Sequence, residues 1–130
     1  MNFNYKLIEV CIGQAKSLLE EFKEFYPFAF AMEHDLTIVP VMTYSGDEFP
    51  SSKTVVEELE KALKINSEHH NYVGIAICSD CTFNKADALQ IRVDFLDDAT
   101  IDIYEMYTIS DENVFSIQDE ILEKGTFLFF

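Results

Sequence analysis

A length of 130 residues, 48% of them hydrophobic and 14% aromatic, predicts a single domain spanning residues 1–130 and excludes an intrinsically disordered chain. Twenty-four acidic residues against nine basic ones give a formal net charge of −15, which opposes binding to nucleic acid and to anionic membranes. The chain begins without a secretory signal pattern and has no run of roughly 20 apolar residues, so we expect a cytoplasmic protein with free thiols.

The first elements are predicted to be a helix and a hairpin. Apolar residues recur at three- and four-residue spacing over residues 4–25, which predicts a helix with one buried stripe that ends before Pro27. Residues 28–32 and 36–44 are predicted to be two strands joined by a short polar turn. Because proline cannot donate to a strand ladder, Pro40 predicts that the second strand lies at a sheet edge or contains a bulge.

A second helix and a buried strand follow. Ser51 or Ser52 is the expected N-cap of a helix that ends near residues 69–71. Residues 72–82 form a nearly continuous apolar run, which is typical of a central strand covered on both faces.

The last part of the chain alternates apolar and polar residues. This alternation predicts strands over residues 89–95 and 101–109, with residues 97–98 in the hairpin turn between them. Residues 114–117 are a further candidate strand, and residues 118–124 a candidate single turn of helix.

The order is therefore helix, hairpin, helix and then a run of antiparallel strands. We predict an α+β domain with an antiparallel sheet of about five to six strands. The simplest packing of these elements places both helices on one face of the sheet.

A short segment resembles other proteins. Residues 24–29 read Glu-Phe-Tyr-Pro-Phe-Ala, and residues 38–41 read Ile-Val-Pro-Val. Here the chain resembles a group of small uncharacterised bacterial proteins that open with a helix, carry an E-F-Y-P-F-type corner and continue into a hairpin. The likeness is close over residues 18–42 and looser afterwards. The resemblance implies a bacterial α+β domain, and it implies no activity.

Motifs for catalysis or metal binding are weak. Cys78 and Cys81 form a C-x-x-C, but the chain has no second such pair to complete a zinc site, and the following residues are not a helix start. No glycine-rich phosphate loop and no G-x-S-x-G elbow occur. We therefore predict no catalytic residues, no metal and no cofactor, with the two cysteines at the end of a buried strand.

The distribution of charge is the strongest functional signal. Ten carboxylates and no lysine or arginine lie between residues 94 and 123. A complementary potential accelerates encounter with a basic protein. The leading hypothesis is a non-enzymatic interaction protein that binds or neutralises a basic partner, as small acidic immunity proteins neutralise nuclease-type toxins. The predicted binding residues are Asp94, Asp97, Asp98, Asp102, Glu105, Tyr26, Arg92 and Tyr104.

Three alternatives remain open at this point. The charge serves solubility alone, and Arg92 then forms a cross-strand pair with Asp102. The second alternative is a small enzyme or small-molecule-binding domain with a site between helices and sheet. That site would be built from Tyr26, His34, Tyr44, His69, Arg92 and Tyr104. The third is a homodimer that associates through its sheet or through the aromatic residues 126–130.

Overall fold

The computed structural model describes residues 2–41, 51–96 and 100–125, with side chains from Tyr5 onward. In chain order the elements are α1 (Asn2–Phe22), β1 (Phe28–Glu33), β2 (Ile38–Val41), α2 (Ser52–Ser67), β3 (Tyr72–Phe83), β4 (Ala86–Phe95), β5 (Ile101–Ile109) and β6 (Phe115–Lys124). The strands form one antiparallel sheet in the order β2-β1-β3-β4-β5-β6. The α+β class, the six-stranded antiparallel sheet and the order of elements are confirmed.

The two helices lie on opposite faces of the sheet, so the predicted packing of both helices on one face is wrong. One face, here called the α1 face, carries a buried cluster that includes Leu7, Cys11, Ala15, Leu19, Ala76 and Cys78. The other, the α2 face, carries a cluster that includes Val55, Leu59, Leu63, Ile75 and Ile77. Successive residues of β3 point to opposite faces and are apolar on both. Each face of this strand therefore needs its own covering helix.

Helix α1 ends at Phe22, three residues earlier than predicted. Lys23 adopts the left-handed conformation with φ of 65°. Its N–H donates to the carbonyl of Leu19 at 2.9 Å, which closes the last turn. The helix therefore stops at a local cap, four residues before the backbone restriction that Pro27 imposes.

Two local predictions in the middle of the chain are confirmed. Ser51 is the N-cap of α2, and its Oγ accepts a hydrogen bond from the Thr54 N–H at 3.1 Å. Pro40 lies in β2, which is an edge strand of the described sheet. The helix ends at Ser67, two residues before the predicted end, and strand β2 is described only as far as Val41.

The last strand corrects the prediction for residues 114–124. Instead of a short strand and a turn of helix, residues 115–124 form one ten-residue strand paired along its length with β5. Gln118 is an extra residue in the ladder, because Tyr107 pairs with Ile117 and Met106 pairs with Asp119. This bulge shifts the alternation of apolar residues, which made the segment resemble a helix in the sequence.

Gly74 of β3 is required by the packing of the sheet. A Cβ atom at this position would lie 2.5 Å from Cε1 of Phe95, which faces it in β4 and is itself buried. We expect Gly74→Ala to lower the free energy of unfolding by about 2 kcal/mol, because a buried aromatic ring must move. Denaturant unfolding measures the change.

The control for this substitution is Gly13→Ala in α1, where an added Cβ meets nothing within 4 Å. Alanine favours a helix over glycine by up to about 1 kcal/mol, so this variant should be at least as stable as the parent. Equal stability of the two variants would contradict the packing argument.

Candidate functional site

The β5–β6 ladder contains two pairs of carboxylates, and in each pair one residue of β5 lies opposite one residue of β6. Asp102 lies directly opposite Glu123, and Glu105 lies directly opposite Glu120. Glu105 lies two residues from both Ile103 and Tyr107 and therefore shares their face of the sheet. Because these two residues belong to the cluster under α1, the Glu105–Glu120 pair lies on the α1 face. The Asp102 pair lies on the α2 face. Two ionised carboxylates directly opposite each other in a sheet repel, and this ladder brings two carboxyl groups together on each face.

The Glu105 pair is buried against the sheet. Glu105 is only 2% exposed, and its Oε1 has no hydrogen-bond partner among the described residues. Burial, the hydrogen bond to Glu120 and the charge of Glu120 together raise the pKa of the Glu105 carboxyl to about 8, with burial the largest cause. Glu105 is therefore largely protonated at neutral pH, and a proton holds the two carboxyl groups together.

The Asp102 pair differs from the Glu105 pair because a cation lies beside it. Asp102 is 7% exposed, and its Oδ1 has no hydrogen-bond partner among the described residues. Burial raises the pKa of Asp102, the Arg92 guanidinium lowers it, and the charge of Glu123 raises it. Arg92 lies opposite Asp102 in the β4–β5 register, as the strand alternation predicts, and its Nη1 is 3.5 Å from Oε1 of Glu60. One guanidinium is thus shared between two carboxylates.

Exposed apolar side chains accompany the carboxylates on β6. On the α1 face, Ile117 is 42% exposed and Leu122 is 59% exposed, and Glu120 lies between them. On the α2 face, the half-buried Ile121 lies between Asp119 and Glu123. We use the name edge surface for residues 117–123 of β6 together with Asp102 and Glu105 of the neighbouring strand β5.

Three of the predicted binding residues lie together on the α2 face. Arg92 and Asp102 are cross-strand neighbours, and Tyr104 follows two residues after Asp102. The Tyr104 hydroxyl accepts a hydrogen bond from Gln90 Nε2 at 3.2 Å, and its ring stacks on Phe83 with centroids 4.2 Å apart. The α2 face therefore combines a cation, a carboxylate and an aromatic pair in the region next to the edge surface.

The other predicted binding residues lie elsewhere. Glu105 is on the α1 face, and Tyr26 is exposed at the corner after α1. Asp94 is buried on the α2 face and accepts a hydrogen bond from Thr100 Oγ1 at 3.0 Å, which ties the end of β4 to the start of β5. Asp97, Asp98 and the aromatic residues 126–130 lie outside the described residues.

Sequence reasoning missed Glu120 and Glu123 as the partners of the buried carboxylates. The acidic stretch includes them, but only the β5–β6 register shows which carboxylate faces which. The bulge at Gln118 hides the strand alternation that could have revealed this register.

Tyr26 and His34, two of the six residues suggested for a small-molecule site, line different cavities. Tyr26 lines a cavity of about 670 Å³ at the end of α1, and His34 lines a separate cavity of about 570 Å³ with His70 and Tyr72. Arg92, Tyr104 and His69 line neither of these two cavities. Tyr44 lies outside the described residues.

The cysteine pair is divided by the sheet. Cys78 is buried on the α1 face, whereas Cys81, three residues further along β3, points to the α2 face. Burial raises the pKa of the Cys78 thiol well above its usual value, so this thiol is unreactive. Because they point to opposite faces, the two sulfurs cannot bind one metal ion. In the described part of the chain no group of three or more His, Cys, Asp or Glu side chains is placed to hold one.

Comparison of the chain with protein-family models, curated proteins and solved structures found no match. None of the described helices has the length and apolar character needed to cross a membrane. The resemblance of residues 18–42 to small bacterial proteins stays a prediction, and the edge surface is the feature that bears on function.

Proposed function

We propose that the protein is a non-enzymatic acidic domain that binds a basic partner protein through the edge surface. The observation that carries this proposal is the pair of carboxylates on each face of the β5–β6 ladder, each with one buried oxygen that lacks a hydrogen-bond donor among the described residues. Lysine or arginine side chains of a partner would supply the opposite charge at the exposed members of the two pairs, Glu120 and Glu123.

The carboxylate pairs also bear on whether the charge serves only solubility. Exposed carboxylates keep a protein soluble at little cost to stability. Burying Asp102 and Glu105 opposite two further carboxylates costs stability, through desolvation and repulsion, and adds nothing to solubility. Their placement therefore favours recognition of a cation.

A basic enzyme that acts on nucleic acid is the partner that this chemistry fits best. Such an enzyme needs a cationic surface to bind phosphates. A protein with a formal net charge of −15 would compete for that surface and neutralise the enzyme in the manner of a small immunity protein. The expected site of action is the cytoplasm.

The proposal is tested by affinity capture of a basic partner from a lysate of the source cells, with site variants of the tagged protein. The variant Glu120→Lys with Glu123→Lys reverses both exposed members of the carboxylate pairs. We expect it to retain at least about tenfold less of a single basic protein than the parent does, because the charges at the contact become alike.

The matched control is Glu21→Lys with Glu57→Lys, which changes the net charge equally at exposed positions on the two helices. It should retain the partner as the parent does. Equal loss in both double variants would show that only net charge matters, and capture of no basic protein by the parent would overturn the proposed function.

A further inference from the structure

We infer that the partner contributes an extended strand that pairs with β6 and carries side chains in the order basic, apolar, apolar, basic. This inference rests on the proposed function and specifies how the edge surface would bind its partner. Its basis is the openness of β6, the spacing of its carboxylates and the nature of the residues between them.

Strand β6 has a free side in the described structure. It has ten residues and, among those described, pairs only with β5. An edge strand presents unpaired N–H and C=O groups, and an extended peptide can add to it as a further strand. Main-chain hydrogen bonds would then supply affinity, and alternate side chains would supply specificity.

The spacing of the carboxylates defines the order of side chains on the added strand. Glu120 and Glu123 are three positions apart and lie on opposite faces of the sheet. Residues opposite them on a paired strand are also three apart and point to the same two faces. The two positions between them face Ile121 and Leu122, so apolar side chains fit there. The order that complements this surface is Lys or Arg, two apolar residues, then Lys or Arg.

Long basic side chains suit this surface on both faces. The stem of a lysine or arginine can lie along Ile121 or Leu122 while its charged end reaches Glu123 or Glu120. The buried Asp102 and Glu105 lie one strand further in, and the incoming cations would offset the charge of Glu120 and Glu123 in front of them.

A second copy of the chain fits the same edge poorly. Its β6 would bring another Asp119, Glu120 and Glu123 to an edge that already carries these three acidic residues. Repulsion between like charges opposes such pairing, as charged side chains on edge strands commonly do. The same carboxylates that disfavour self-association favour a basic strand.

The test uses two synthetic peptides of identical composition and flanks, one with the central order Lys-Val-Val-Lys and one with Val-Lys-Lys-Val. Binding to the full chain is measured by calorimetry at moderate salt, and hydrogen exchange reports protection of the β6 amides. We expect the first peptide to bind at least about tenfold tighter, because the second places valines opposite the carboxylates. Only the first should slow exchange in β6.

The outcomes separate this inference from the proposed function. If both peptides bind equally and both lose affinity for Glu120→Lys with Glu123→Lys, the edge surface recognises charge and the strand order is wrong. If neither peptide binds the parent protein, strand addition is overturned, whereas the proposed function depends on the capture experiment. Methyl groups on alternate backbone nitrogens of the first peptide remove the N–H donors that strand pairing needs, so this peptide should bind no tighter than the second one. An affinity unchanged by this methylation would also overturn strand addition.

Discussion

Glu105→Gln is expected to stabilise the protein by on the order of 2 to 4 kcal/mol at pH 8 to 9 and to leave its stability at pH 5 nearly unchanged. The folded state holds a proton on Glu105 up to a pKa of about 8, whereas a glutamate in the unfolded chain loses it near its ordinary pKa of 4.5. Between these values the native state binds more protons than the unfolded state. The contribution of Glu105 therefore makes stability fall as the pH rises through this range.

Glutamine keeps the neutral form of the side chain at every pH. Its amide can donate to Glu120 as the protonated Glu105 carboxyl does, so the hydrogen bond survives. The measurement is urea unfolding of both proteins at several values from pH 5 to pH 9. The difference between the two curves isolates Glu105 from the other carboxylates of this acidic chain.

The control for Glu105→Gln is Glu112→Gln, which makes the same chemical change at an exposed position between β5 and β6. Its stability should follow that of the parent at every pH. If the Glu105→Gln curve also ran parallel to the parent curve, Glu105 would not hold its proton in the folded state, and the description of the buried pair would be wrong.

The elements of the fold were largely predictable because they depend on local patterns. Three- and four-residue periodicity located both helices, Ser51 marked the start of α2, and Pro40 marked an edge strand. The sides that the helices occupy depend on tertiary packing. The nearly continuous apolar run of β3 already required cover on both faces, and two helices on one face could not provide it.

The candidate site was predictable in composition and not in geometry. Asp102 and Glu105 stand out in the sequence as members of an acidic stretch, as do their partners. The pairing of acid with acid depends on the register of β6, which the bulge at Gln118 shifts by one residue. The strand alternation predicted over residues 101–109 already places Asp102 and Glu105 on opposite faces, but their burial opposite Glu123 and Glu120 could not be predicted from the sequence.

The proposed function and the acid pairs are related through stability. Each pair is an unfavourable contact that natural sheets commonly avoid. A protein can retain such contacts where a ligand relieves them, because the bound ligand removes the unfavourable free energy that the contact has in the unbound protein. This relation connects the pH dependence of stability, which reports mainly the burial of Glu105 in the free protein, with the affinity for a cationic partner.

The placement of the helices on opposite faces predicts two cores that behave independently. Leu19 of α1 and Leu59 of α2 are buried in different clusters on either side of the sheet. Leu19→Ala and Leu59→Ala are each expected to lower the free energy of unfolding by about 3 kcal/mol, through lost burial and the cavity left behind. Urea unfolding in a buffer stabilised with trimethylamine oxide keeps even the double variant folded enough to measure.

In the double variant the two losses should add to within about 0.5 kcal/mol, because the substituted residues belong to separate buried clusters on opposite faces of the sheet. A pair of neighbours within one cluster is the comparison: Cys11→Ala with Cys78→Ala should depart from additivity, since both side chains are buried in the core under α1 and interact with each other. Strong coupling between Leu19 and Leu59 would mean that the two helices share a core. The assignment of the two helices to opposite faces of the sheet would then be wrong.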